Sequence, residues 1–507
     1  FPSVTEENNI KEEFPGAFVM DPRKGFYKHG ITTIDLNSLY PNTIIALNIS
    51  PETKIGKVIR PEQNTHCNEL KISNDKRITI TDEKLQILIQ EKATLAKNDV
   101  LYLKPTIKTG AIPAFLKHFY SERLKNKSLM KKLKKQYVEF KETNKDELEL
   151  KNLDEHIKRL ATRDIAYKAF LNSIYGMFGT IYSPIYDIDS AAAITVSDQA
   201  ITQKAINFVD ECFKEKYGIE HTCIFADTDS VGFNSSPMVL QYCEENKKQQ
   251  KELSKTDIRK ITKSMDEFLE NKVNVEVQEF VKNEMFTTEH KRIEFKREYF
   301  AMQGCFFSKK HYFVHIIDED GNSLDKFKYV GVEVKKNELP KKVKSLLQEI
   351  YEKTCRENWT EIDYVKKMEE VWKMFRILPF EEISLYRGYN TPRNPTSFMH
   401  MEKGATIGSK AANFFNQLVD KFQLESKYEK IVLGDKIRTC YILNNEYGIE
   451  TIGFKDKFPD ELRTIFEIDY FQMFQKMIVK PLESFCKIMH WSEFDPRLSP
   501  QENIFTL

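Results

Sequence analysis

The pattern of apolar and polar positions divides this chain into a strand, a pair of long helices, a third helix, two hairpins and a helical end. "GITTIDL" is a short apolar run rich in β-branched residues, and it reads as a buried strand that stops on a carboxylate, Asp35. Residues 114–142 and about 150–175 carry helical periodicity and meet at the polar stretch "ETNKDE". "PIYDIDSAAAITVSDQAITQKAINFVDECFKEKYG" predicts an irregular lead into a long helix that stops at Gly218. In "CIFADTDSVGF" the apolar Ile224, Phe225, Val231 and Phe233 predict two short strands around the tight turn "DTDS". "SKKHYFVHIIDEDGNSLDKFKYVGVEV" predicts a second hairpin turning at "EDGN". Beyond about residue 340 the pattern is mainly helical, broken by the loop "RGYNTPRNPTS", while residues 1–30 read as a poorly structured lead-in. A strand, paired helices, hairpins and a helical end together indicate an α+β fold.

Composition narrows the class. With 507 residues, 41% hydrophobic and 30% charged, the chain suits a soluble multidomain protein and excludes a disordered one. It has no apolar run of bilayer length and no signal peptide. The eight cysteines form no CxxC pair, which argues against a zinc ribbon or a disulfide framework and for a reducing, cytoplasmic compartment. The net charge of +1 says nothing about nucleic acid. The run "FLKHFYSERLKNKSLMKKLKKQYVEFKETNKDELELKNLDEH" turns from basic to acidic, as a solvated helix does and as a helix facing a polyanion also does. The first residue is not Met, which marks the chain as processed, truncated or part of something longer.

Chemistry enters with the acids. Asp227 and Asp229 stand at a hairpin tip, where acids are common because they cap turns, so a surface hairpin is the plain reading. Asp35 changes this, because pairing its strand beside the hairpin brings Asp35 and Asp229 to one point. Clustered carboxylates repel one another unless cations intervene. Mg²⁺ suits such oxygen ligands, using one or two carboxylates and completing its shell with water and phosphate. Phosphate-binding cations are predicted nearby. In "YKAFLNSIYGMFG", Lys168, Asn172 and Tyr175 share a helix face, and Gly176 is expected to end the helix and admit another backbone. Arg123 and Lys127 share a face of the preceding helix. With Lys168 they make three cations able to clamp a triphosphate.

In order and separation, "DLNSLYP", "KAFLNSIYG" and "ADTDS" resemble the three polymerase motifs of family B (polymerase-alpha-like) DNA polymerases, and "SKKHYF" resembles the primer-template motif that follows them. "FPGAFV", "NISPETKIG" and "KPLESF" resemble the T-even bacteriophage branch. The resemblance implies a right-hand architecture with an antiparallel-sheet palm (31–113 and 179–335), two-helix fingers (114–178) and a mainly helical thumb (336–495). Residues 1–30 would be a linker to an absent N-terminal part, and 496–507 a tail. It implies two Mg²⁺ ions, replaceable by Mn²⁺, held by Asp35, Asp229 and the Leu36 carbonyl, with Asp227 nearby and Glu298 a supporting acid. Tyr40 would lie under the deoxynucleotide sugar. Arg123, Lys127, Lys168 and Asn172 would contact the triphosphate, and Tyr175 and Gly176 would pack against the nascent pair. Lys309, Lys310 and Tyr312 would grip primer-template DNA. The implied reaction is attack of a primer 3′-OH on the α-phosphate of a bound dNTP, with Asp35, Asp227, Asp229 and Lys168 as the catalytic set.

The chain departs from the family pattern at Phe225, where Tyr is usual, at His311, where Arg is common, and at Asn42, where Ser is usual. Too few residues precede Asp35 for the family's exonuclease fold, so the expectation is a chain without proofreading of its own, truncated or one half of a split polymerase with a separate exonuclease subunit. The tail residues Ile504, Phe505 and Leu507 resemble a sliding-clamp peptide; the plainer reading is a frayed terminus. Three alternatives remain: a catalytically silent DNA-binding scaffold, which the retained acids disfavour; a protein-primed family B polymerase, which the short segment from Asp35 to Arg123 disfavours; and a Mg²⁺ nuclease, which leaves the helix motifs unexplained.

Overall fold

The computed structural model describes residues 13–60, 66–73, 76–143, 147–391, 393 and 395–498, so the tail residues Ile504, Phe505 and Leu507 lie outside the described residues. The chain divides into two units. One holds the described residues up to Asp21, Ile31–Phe300 and Asp318–Asn322, and the other holds Pro22–Gly30, Ala301–Ile317 and the described residues from Ser323 onward. The architecture is mixed helix and antiparallel sheet, an α+β protein.

In the first unit, strand β1 (Ile31–Leu36) is buried at every position but Asp35, as a run of β-branched residues in mid-sheet should be. It is followed by helix α1 (Leu39–Leu47), the long helices α2 (Ala111–Thr143) and α3 (Glu147–Phe178), and α4 (Ile188–Tyr217). Strands β2 (Cys223–Asp227) and β3 (Ser230–Asn234) form the predicted hairpin, and β4 (Phe295–Ser308) begins in this unit. The strand order is β4–β1–β3–β2, with β3 antiparallel to both β1 and β2. Ile34, Val231, Ile194 and Phe213 belong to the core that α4 makes with this sheet. Helix α4 stops as predicted at Gly218, whose φ of 68° is the left-handed cap that lacks a steric penalty only for glycine.

Several expectations need correction here. The described part of the lead-in is tied down: Val19 bridges Asp227, and Thr195 and Gln199 of α4 donate to the carbonyls of Pro15 and Gly16. Gly176 does not end its helix, since α3 runs on to Phe178, and no atom lies within 4 Å of where a Cβ would sit on it. A five-stranded sheet built from Lys54–Ile59, Cys67–Lys71, Arg77–Thr81, Ala93–Leu95 and Val100–Leu103 fills a region in which no strand was read.

The second unit holds the rest of β4, to which Gly25–Tyr27 pairs antiparallel, and the greater part of the hairpin strands β5 (His311–Glu319) and β6 (Asn322–Val330), whose turn segment Asp318–Asn322 is counted with the first unit. Asp320 and Gly321 turn this hairpin with φ of 52° and 78°, the signature of a primed two-residue turn. Helices Lys341–Glu357, Glu361–Phe375, Ile407–Lys421 and Lys480–Met489 form the helical end, with buried Tyr351, Tyr364 and Phe375 in its core. It is less purely helical than the pattern indicated, because Leu385–Gly388, Lys436–Tyr441 and Thr451–Phe454 make a three-stranded antiparallel sheet. Among the described residues no helix is long and apolar enough to cross a membrane.

Beside β4 in the first unit sits a buried ion network. The Arg297 side chain, 4% exposed, donates to Asp266 at 2.8 Å and to Asp318, whose side chain is 1% exposed. Removing the cation would leave the Asp318 charge buried without its partner, a loss of about 3–5 kcal/mol. Chemical denaturation of Arg297→Met should show a loss of that order, and adding Asp318→Asn should recover most of it.

Candidate active site

The Asp227–Asp229 tip has a specific backbone geometry. The Asp229 N–H donates to the Asp227 carbonyl at 2.8 Å across Thr228, whose φ is 61°. That is the hydrogen bond of a γ-turn, in a conformation a β-branched residue rarely adopts. Neighbours hold it: the Thr228 N–H donates to the Phe18 carbonyl at 2.8 Å, and the Thr202 hydroxyl of α4 donates to the Thr228 carbonyl at 3.3 Å. Strain kept in place by its surroundings is common where side chains must be aimed.

The tip meets β1 directly. Asp35 pairs with Ser230 in the ladder, and the Leu36 N–H donates to the Asp229 carbonyl at 2.8 Å. Burial raises the Asp229 carboxyl above the ordinary aspartate value; Asp227 and Glu298 add to the rise, and the Lys168 ammonium works against it. Asp227, Glu298 and Lys168 therefore act on one carboxyl, with the Asp35 backbone beside it. Among the described residues no group of three or more His, Cys, Asp or Glu side chains is gathered as a metal cage. A donor set of one or two carboxylates still fits Mg²⁺, which keeps water and phosphate in its shell.

Helices α2 and α3 supply the cations. Arg123 is buried and already engaged, its Nε donating to Asp164 at 3.0 Å and its Nη1 to the Ser38 hydroxyl at 3.3 Å. Its guanidinium is thus tied to α3 and to Ser38, just ahead of α1. Lys127 and Lys168 are exposed. The Lys127 ammonium is held below its ordinary value by desolvation of its head group and by Arg123 and Lys168, with Asp164 and Asp320 opposing. Asn172 and Gly176 are exposed on α3. The Tyr175 ring lies 4.4 Å from that of Tyr40, centroid to centroid, and Phe14 packs edge-on against it at 6.5 Å. Burial and then the Asp198 carboxyl push the Tyr40 phenol well up from its ordinary value.

The other predicted residues lie in the second unit. Lys309 and Lys310 are exposed at the turn between β4 and β5, and the Tyr312 ring stacks on Phe306 at 5.0 Å. Gly331 is needed beneath this turn: its φ is 66°, and a Cβ there would lie 2.1 Å from the Lys310 carbonyl oxygen. The His311 imidazole sits 3.5 Å from the Glu333 carboxylate.

Sequence reasoning missed Asp164, the counter-ion of Arg123, and Asp198, the buried acid beside Tyr40. Asp198 had a signal, because it falls on the buried seam of α4 with Ile194, Ile201 and Ala205.

Residues 1–486 match the model of DNA polymerase family B, and the chain belongs to that family. It is 24% identical to the DNA-directed DNA polymerase of Enterobacteria phage T4 over 95% of this chain and 56% of that protein. It is also 24% identical to the DNA-directed DNA polymerase of Escherichia phage RB69, over 96% of this chain and 57% of the relative. The DNA polymerase delta catalytic subunit of Plasmodium falciparum is 28% identical over 45% of this chain and 18% of its own length. The chain thus spans little more than half the length of the phage relatives.

The raised Asp229 value sets a sign. A carboxyl that is harder to ionise when folded costs stability as pH rises from the ordinary 3.8 through the raised folded value, and the cost is full above it. In EDTA at neutral pH, Asp229→Asn should therefore melt above the native chain, a gain that vanishes below the ordinary aspartate value. Thermal melts at both pH values check this.

Proposed function

We propose that this chain is a DNA-templated DNA polymerase of the phage replicative type, extending a primer 3′-OH with dNTPs. The observation that carries the reading is the convergence of Asp227, Glu298 and Lys168 on the Asp229 carboxyl, with Asp35 paired beside it. A bare acid cluster is self-repelling, and a site that adds a lysine to one is suited to cations and phosphate together. The phage relatives, matched along nearly the whole chain, support the same reading.

In this reading residues 31–113 and 179–335 are the palm, 114–178 the fingers and 336–495 the thumb. Asp35, Asp229 and the Leu36 carbonyl would hold the divalent ions, which when bound would activate the attacking oxygen and stabilise the leaving one. Lys168 places a point charge beside the phosphates, with Lys127 further along the same helix pair. Arg123 acts through Asp164 and Ser38, fixing α3 and the start of α1 where Tyr40 begins its turn. Tyr40 and Tyr175 present a pair of mutually tilted rings to the sugar and base of the incoming nucleotide. Lys309, Lys310 and Tyr312 hold the duplex backbone, and Lys contacts of this kind weaken as salt rises. The residues thus act by positioning and charge neutralisation, the two contributions phosphoryl transfer most needs.

The test is primer extension on primed DNA by the purified chain. Extension should require Mg²⁺, stop on EDTA and vanish in Asp35→Ala. Lys168→Ala should lower kcat/KM for the matched dNTP by about 100-fold, in the range of other lost transition-state charge contacts. Robust extension by Asp35→Ala would refute the site assignment. Absence of extension by the native chain on DNA that it binds would refute the activity.

A further inference from the structure

Asp198 has no part in the site described above, yet it is the acid most deeply placed near it. Its residue is 3% exposed. The Thr43 hydroxyl donates to Oδ1, while Oδ2 is buried and has no hydrogen-bond partner among the described residues. Thr43 lies on α1 three residues after Tyr40, so the two share a helix face. The Thr43–Asp198 bond therefore fixes α1 against α4 at the turn that carries Tyr40.

Electrostatics gives a second, independent indication. Asp198 is the foremost charged group acting on the Tyr40 phenol, ahead of Tyr175, Asp229 and Asp227, and it acts on the Tyr175 phenol as well. One carboxyl thus acts on both members of the Tyr40–Tyr175 ring pair. Burial drives the Asp198 carboxyl well above the ordinary range, with Asp229 adding to this and the Thr43 bond opposing it. An apolar residue would fill the same seam at lower cost, because a buried polar oxygen without a partner is unfavourable.

We propose that Asp198 is a positioning residue of the nucleotide site, setting through Thr43 the orientation of α1 and hence of Tyr40 under the incoming sugar. The inference rests on the reading of Tyr40 as the sugar-contacting residue. It assigns Asp198 to selectivity and nucleotide affinity, and it assigns the chemical step to other groups.

The experiment is steady-state single-nucleotide incorporation with matched deoxy- and ribonucleotides, run on the full chain with Asp198→Ala, Asp198→Asn, Thr43→Val and Tyr40→Ala. Asp198→Ala should raise KM for the dNTP and reduce discrimination against the ribonucleotide, each by about tenfold, the scale of one lost hydrogen bond, with kcat little changed. Asp198→Asn, which keeps the acceptor for Thr43, should restore both. Should Asp198→Ala fail to fold, Thr43→Val removes only the hydroxyl and carries the same expectation. Unchanged KM and discrimination in Asp198→Ala or Thr43→Val, alongside a responsive Tyr40→Ala, would overturn this inference alone. A parallel fall of kcat for both sugars that Asn does not rescue would also overturn it, by showing a merely structural role. Unchanged discrimination in Tyr40→Ala would remove the sugar-contact reading, and this inference with it.

Discussion

The site depends on the register of one strand pair. The Asp35 backbone lies beside Asp229 because β1 and β3 pair with Asp35 opposite Ser230, and because the Leu36 N–H closes on the Asp229 carbonyl. A slip of one residue would send every side chain of β1 to the other face. The sheet guards against that slip on its other side. A Cβ on Gly232 would come within 2.0 Å of the Phe225 ring, so the ring occupies the space over that glycine where the β2–β3 ladder shifts register. Phe225 is one of the departures from the family pattern, and the ring serves this packing without a phenol oxygen.

From that register the electrostatics follows. Asp227 and Glu298 both act on the partly buried Asp229 carboxyl, and together they make a standing demand for positive charge beside it. The helix pair meets it unequally. Lys168 acts on the Asp229 carboxyl electrostatically, while Arg123 is engaged by Asp164 and Ser38. The arginine thus ties α2 to α3 and to Ser38, and the exposed cations of the pair are Lys127 and Lys168. A point charge on a flexible stem suits a substrate that arrives and leaves.

Local signals made part of this legible in the sequence. The β2–β3 hairpin, the Asp320–Gly321 turn and the stop of α4 at Gly218 each rest on residues whose backbone preferences are set locally. The long helices were legible by periodicity, since they run for many turns. What stayed hidden depends on distant contacts. The short strands of 54–103 and 385–454, of at most six residues each, take their form from their pairing partners, and so few residues carry too little alternation to show it. Gly176 misled because glycine inside a helix resembles glycine after one. Asp164 and Asp198 were invisible as partners, since only folding brings them to Arg123 and Thr43.

The most direct test of the account is calorimetric binding of the matched dNTP to the chain on primer-template DNA with a dideoxy-terminated primer, in the presence and absence of Mg²⁺. The account predicts binding that requires Mg²⁺ and is lost in Asp229→Asn, because the nucleotide and the ion together satisfy the acid cluster. Equal affinity with and without the ion, or in Asp229→Asn, would show that the nucleotide does not sit at the Asp35–Asp229 junction, and the central claim would fail.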